Sequence, residues 1–371
     1  MSEYQYYEFR TIERSLSDTE RDAISQLSSR VKLSATKAIF NYSFGDFQNN
    51  PQDVLVKYFD AMYYVANWGT QQLVFRFPKS LIDLKRIQPY CVEDCISVSE
   101  IGNYVILDIC YHIEDGFGWI EGEGDLLKVI DLRNNILQGD YRSLYLAWLR
   151  AITLQDVDET VHEPTVPPGL NKLTQSLNAF VELFDVNKYL LIVAAQSSSK
   201  PTTIAKETWL QQIAQLPRQE CDRILLQLLE GKPNLAIEFK QKLSQQITSP
   251  QAENKATRSI LQLLETSEQE EKKAKQKQQQ DAEAKRIEEL KKFANKTDQA
   301  WSDIERLLLV TQAKYYEDAV ELLVKLRDLA IYQNKQPEFQ RRLNSIHEKY
   351  TRRTGLLKRL KNAGLHQRKI I

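Results

Sequence analysis

The sequence predicts an α+β domain with a mostly antiparallel sheet, followed by all-α helical regions. Three observations carry this. Nine of the 12 glycines lie at or before Gly169, so turn chemistry is concentrated in the first part of the chain. Aromatic-rich, alternating segments at 4–9, 36–44 and 71–77 share that boundary, and alternation is the mark of a half-buried strand. Beyond residue 170 the apolar residues recur only at helical spacing.

Each element has a local reason. Tyr4-Gln5-Tyr6-Tyr7-Glu8-Phe9 opens the chain as a strand. Ser17 and Glu20 have the spacing of a capping box, so a helix follows and runs to about Arg30. After a strand at 36–44, Pro51 starts a helix whose face carries Leu55, Tyr58, Phe59, Met62 and Ala66, with Gly69 as its stop. Leu73, Phe75 and Phe77 then alternate with Gln72, Val74 and Arg76 in a third strand. Segments 95–100 and 104–113 flank Gly102-Asn103, a two-residue turn of the kind that closes hairpins. Counting outward from that turn places Cys95 opposite Cys110. Residues 124–150 return to helix.

The predicted organisation is therefore an α+β domain at 1–153, a proline-rich acidic linker at 154–169, and a helical bundle at 170–250. A charged helical spacer follows at 251–296, and a helical domain with a basic tail at 297–371. Leu170, Leu173, Leu177, Phe180 and Phe184 give the first bundle stripe, and Pro217 precedes Cys221, Ile224, Leu225, Leu228 and Leu229. In the spacer, residues 267–286 have strong helix formers and Glu-to-Lys pairs, but alanine is their only apolar residue type. The coiled-coil-like stretch thus lacks a seam. In the last region Ala319, Leu322, Leu323, Leu326, Leu329 and Ala330 form the clearest amphipathic helix.

Composition narrows the class. No apolar run approaches the ~20 residues of a membrane span. The charged, aromatic start at 1–15 is no secretory signal. Four cysteines do not make a disulfide framework, so a cytoplasmic protein is expected. The 50 Lys and Arg balance the 50 Asp and Glu, but unevenly. Residues 1–250 hold 24 basic and 32 acidic side chains, residues 251–348 hold 18 of each, and residues 349–371 hold 8 basic and no acidic. Overall neutrality conceals a bipolar chain.

Four features could carry chemistry. Cys91, Cys95, Cys110 and His112 offer either a Cys3His zinc site or thiols packed in a sheet core. Their spacing matches no standard zinc pattern. Glu121, Glu123 and Asp125, set among glycines, either bind a divalent cation or complement the N-terminus of the helix that follows. Tyr6, Tyr7, Tyr63, Tyr64 and Trp68 either fill the core or supply interface aromatics, because neighbours in a strand point to opposite faces. The basic tail of Lys349, Arg352, Arg353, Lys358, Arg359, Lys361, Arg368 and Lys369 either contacts nucleic acid or an acidic partner, or forms the solvated face of a last helix. Nothing in the spacing of His, Ser or Cys supports nucleophilic catalysis, and no cofactor beyond a zinc or other divalent ion is suggested.

Several segments resemble an uncharacterised bacterial protein family over about residues 1–250: YQYYEF at 4–9, YFDA at 58–61, YVANWGT at 64–70, EGEG at 121–124, GDYRSLYLAWL at 139–149 and VPPGL at 166–170. From YEDAVELL at 316–323 to AGL at 363–365 the chain is similar to the helical tail of bacterial SWIM zinc-finger proteins, although it lacks their Cys-x-Cys…Cys-x-His signature. The resemblance implies no catalytic residues. It implies a setting shared with SWIM proteins, which bind DNA or protein, and makes a SWIM zinc-finger protein a candidate partner. The expected function is a non-catalytic cytoplasmic interaction or adaptor protein. The alternatives are a nucleic-acid-binding accessory factor using the tail, and a metal-dependent enzyme built on the acidic loop.

Overall fold

A seven-stranded, wholly antiparallel sheet organises the first part of the chain. Its strands in the computed structural model are β1 (Tyr4–Arg10), β2 (Lys32–Leu33), β3 (Lys37–Ser43), β4 (Ala61–Ala66), β5 (Thr70–Pro78), β6 (Ile96–Ile101) and β7 (Tyr104–His112). Their spatial order is β2-β3-β1-β4-β5-β7-β6, so the opening strand lies inside the sheet between β3 and β4. The structure describes residues 3–114, 116, 123–154, 158, 161–201, 204–246 and 258–367. It has two compact units, Met1–Glu271 and Lys272–Ile371.

Alternation sorts the strand residues between two cores. Tyr7, Phe9, Phe40, Met62 and Val74 lie on one face with Ile24 of α1 (Asp18–Ser25) and Leu55 of α2 (Pro51–Tyr58). Ser17 caps α1 through the reciprocal bonds of a capping box with Glu20. A short α3 (Leu84–Ile87) precedes β6. On the opposite face Tyr6, Tyr63, Leu73, Phe75, Leu107 and Ile109 meet Leu126, Leu132 and Leu144. These come from α4 (Asp125–Val129), α5 (Asp131–Leu137) and α6 (Arg142–Leu154). The sheet is covered on both faces, which explains strands such as β4 that read as continuous apolar runs.

One expected helix is shorter than its apolar pattern. The stripe from Leu55 to Ala66 breaks after Tyr58, and Ala61–Ala66 forms β4. Ala61, Tyr63 and Val65 enter one core while Met62 enters the other, which is period-2 behaviour. Aromatic and β-branched side chains buried on both faces of a sheet outweigh the coincidental helical spacing. Gly69 consequently sits in the β4–β5 turn with φ of 108°, where an added Cβ would lie 1.9 Å from the Ile113 carbonyl oxygen. The β6–β7 hairpin has the expected register, with Ile101 opposite Tyr104 and the Cys110 amide donating to the Cys95 carbonyl at 2.8 Å.

The core continues past the proline-rich linker. Leu177 and Phe180 of α7 (Gln175–Leu183), and Leu190 and Val193 of α8 (Lys188–Gln196), share the core of the sheet's helical face. Three further helices follow: α9 (Lys206–Ala214), α10 (Arg218–Leu229) and α11 (Leu235–Gln246). The last of these docks onto the unit, with Gln241 Nε2 donating to the carbonyls of Leu81 at 3.0 Å and Leu137 at 2.6 Å. The long α12 (Ile260–Ala294) begins with Ile260 and Leu263 in that same core. From Glu268 to Arg286 it buries no side chain, as expected for a stretch without an apolar face, and Phe293 near its end packs on the core of the second unit.

The second unit contains α13 (Thr297–Leu309), α14 (Ala313–Tyr332), α15 (Gln336–Lys349) and α16 (Thr354–Asn362). Ile304, Leu308, Ala319, Leu323, Leu326, Leu343, Leu356 and Leu360 form its core. Each helix buries the stripe its periodicity marks.

Candidate functional site

The tyrosines of β1 and β4 separate by face. Tyr6 and Tyr63 are buried towards the α4–α8 helices, and Tyr7 is buried on the other side, where Tyr64 is half-buried. Trp68, in the β4–β5 turn, is 45% exposed. Tyr6 donates to Glu8 Oε2 at 2.7 Å, while Arg10 Nε lies 2.5 Å from Glu8 Oε1. A carboxylate with no exposed surface is thus satisfied from both sides. The Tyr63 hydroxyl accepts from Gln71 Nε2 at 2.9 Å. On the other face Tyr7 and Tyr64 both donate to Gln5 Oε1, at 3.0 and 3.1 Å. Burial holds all four hydroxyls above the ordinary tyrosine range, so they stay protonated donors. Trp68 alone of these aromatics offers substantial open surface.

Of the acidic loop, Glu121 lies outside the described residues. Glu123 adds negative potential near the Tyr6 hydroxyl. Asp125 occupies the first turn of α4 and pairs with Lys128 at 2.8 Å. That placement complements the helix terminus. Among the cysteines, the Cys91 thiol points to the Ile87 carbonyl at 3.9 Å, and Cys95 is buried in the core. Among the described residues, no three His, Cys, Asp or Glu side chains group so as to hold a metal ion.

A polar strip on β5 and β7 joins Cys110 and His112 to residues that the sequence reading did not single out. Gln72 Nε2 donates to both Asp108 oxygens at 2.8 Å. Cys110 Sγ lies 3.8 Å from His112 Nε2, and Thr70 Oγ1 lies 3.1 Å from His112 Nδ1. The alternation of Asp108, Cys110 and His112 in one strand was the available signal. A thiol beside an imidazole suggests a nucleophile, but burial, with Asp108 and Cys95 nearby, pushes this thiol up to about 12. A reactive cysteine needs the opposite shift.

A second cluster, Asp60 with Arg76 and Arg133, is structural. Asp60 accepts from Arg76 Nη2 at 2.7 Å and from the Ile12 amide at 2.8 Å, with Arg133 Nη2 at 3.9 Å. Arg133 is 1% exposed and also donates to the Arg76 carbonyl at 2.8 Å. Burial pushes the Asp60 carboxyl up, but the guanidiniums of Arg133 and Arg76 outweigh it and hold it below its ordinary value.

In the basic tail three residues have partners within the second unit. The Arg353 guanidinium lies over Tyr350 at 4.6 Å and Tyr316 at 6.0 Å, and donates to the Leu308 carbonyl. Arg359 Nη2 pairs with Glu317 at 3.0 Å, and Lys349 Nζ is 5.6 Å from the Tyr350 ring. Arg352, Lys358 and Lys361 are exposed, whereas Arg368 and Lys369 lie outside the described residues. Nearby, Trp301, Phe339, Leu326, Lys335 and Arg342 line a groove of about 290 Å³. That volume falls just below the usual range of a small-molecule site.

Two surface features stand out once the units are known. The first unit holds 26 Lys and Arg against 37 Asp and Glu, a net of −11, and the second holds 24 against 13, a net of +11. The other is α10. None of its residues is buried, and Leu225, Leu226, Leu228 and Leu229 are 54, 55, 65 and 86% exposed. Among the described residues, no helix is long and apolar enough to cross a membrane. Comparison with protein-family models, with curated proteins and with solved structures returns no match to this chain.

Proposed function

We propose that the chain is a non-catalytic interaction protein, an adaptor whose two oppositely charged units engage different surfaces. The observation that carries this reading is the division of charge, −11 on the first unit and +11 on the second. Like charges gathered on one compact unit attract a surface of the opposite sign and repel their own. The second unit therefore takes an acidic protein surface through Arg352, Lys358 and Lys361. The likeness of the tail to that of bacterial SWIM zinc-finger proteins makes such a protein the first partner to test.

Three carboxylates support the same reading, because their neighbours already employ them. Glu8 is held by Tyr6 and Arg10, Asp60 by Arg76, and Asp125 by Lys128. An adaptor working in the cytoplasm needs none of them free.

Affinity capture by the full-length chain tests the proposal, comparing wild type with the triple variant Arg352→Glu/Lys358→Glu/Lys361→Glu. Wild type should retain a partner that the variant loses, with the folded state unchanged. Equal recovery by both would remove the second unit from the account. A second reading, a nucleic-acid accessory factor, rests on the same +11 unit. It requires binding to a labelled DNA duplex whose affinity falls steeply with salt, with a slope of about −0.9 per phosphate contact.

A further inference from the structure

The face of α10 is the surface whose state the first unit leaves unexplained. A helix of 12 residues is marginal in water on its own, and tertiary burial of one face normally sustains it. Yet α10 only half-buries Cys221, Ile224 and Gln227 on its inner side, and α9 likewise buries no residue fully and leaves Leu210 and Ile213 56 and 38% exposed. Both helices pack on α11, which is anchored to the core, so they are held in place with their leucines outward. The four leucines of α10 alone present roughly 400 Å² of apolar surface, within the range of the largest patch a monomer leaves open. Each partner of a standard interface contributes about 800 Å², so this patch supplies about half of one side and the flanking surface the rest.

The charges at its two ends are complementary to each other. Arg218 opens α10, where it also pairs with Asp222 at 3.0 Å, and Glu230 follows the last residue of the helix; both are exposed, with the leucines between them. When two such helices pack antiparallel about a two-fold axis, the Arg218 end of one meets the Glu230 end of the other. Their dipoles then also oppose. A patch that complements itself in this way closes as a dimer rather than growing into a filament.

We propose that α10, flanked by α9, is the interface between two copies of this chain. The proposal is independent of the charge division between the units. Sedimentation equilibrium of the full-length protein over a range of concentrations tests it. Wild type should reach twice the single-chain mass of 43.2 kDa. Leu225→Glu/Leu229→Glu should stay at the single-chain mass with an unchanged melting temperature. A charge pair tests the geometry with the leucines intact. Arg218→Glu should weaken the dimer about tenfold, and adding Glu230→Arg should restore it. Wild type that remains a single chain at every concentration overturns the proposal, and so does a dimer that none of these variants affects. Binding of a different protein to α10 in a chain that stays monomeric is also a refutation.

Discussion

Helices α10 and α14 are both leucine-rich and amphipathic, and the protein treats them in opposite ways. α14 buries Tyr316, Ala319, Leu323, Leu326, Leu329 and Ala330 within the second unit, whereas α10 buries none of its residues. Helical periodicity marks an apolar face; it does not say whether the partner of that face is in the same chain. In α14 the neighbours are α13, α15 and α16, close in sequence and joined by short connections. Among the described residues α10 packs chiefly on α11, whose Ile237 belongs to the core of the sheet's helical face.

The largest expected effects fall on the interior. Leu323→Ala should destabilise the second unit by about 3 kcal/mol, read from urea unfolding of the full chain. A loss as small as that of a surface change would mean that α14 is no better buried than α10. In the first unit, Asp60→Asn leaves the buried guanidiniums of Arg76 and Arg133 without their carboxylate and should cost about 3 kcal/mol. Because the folded Asp60 titrates below its unfolded value, its contribution is present above the ordinary carboxylate range. It is lost as pH falls through the lowered folded value. Unfolding free energy measured against pH should accordingly fall less steeply in acid for Asp60→Asn than for wild type.

Smaller effects sharpen the contrast. Ser17→Ala removes the α1 cap and should cost about 1 kcal/mol, measured by thermal unfolding. At low protein concentration Leu228→Ala should change stability by less than about 0.5 kcal/mol, since its side chain is exposed in the single chain. A cost near that of Leu323→Ala would show that α10 has a covering partner within the chain.

Most of the fold is legible in the sequence where interactions are local. The capping box at Ser17, the Gly102-Asn103 hairpin with its register, and all four helices of the second unit follow from residues close in sequence. β4 is not legible in this way, because Leu55, Tyr58, Met62 and Ala66 fit a helical stripe by coincidence. Only pairing with β1 and β5, through long-range contacts, shows those residues to be a strand. The same limit hides the Asp60–Arg76–Arg133 cluster, whose members are scattered along 73 positions of sequence. For the site, the tail and the tyrosines were nameable as residue types, but their roles depend on burial. Tyr6 and Arg353 serve packing, while Arg352, Lys358 and Lys361 remain at the surface. In sequence the leucines of α10 look like one more bundle stripe, because nothing in a stripe reveals that its covering layer is missing.

Hydrogen exchange of the full-length protein at low and high concentration tests most directly the contrast between α10, covered by a second copy, and α14, covered within its own unit. The account predicts that amides of 218–229 gain protection as concentration rises, while those of α14 stay equally protected throughout. Protection of 218–229 that is independent of concentration would contradict it.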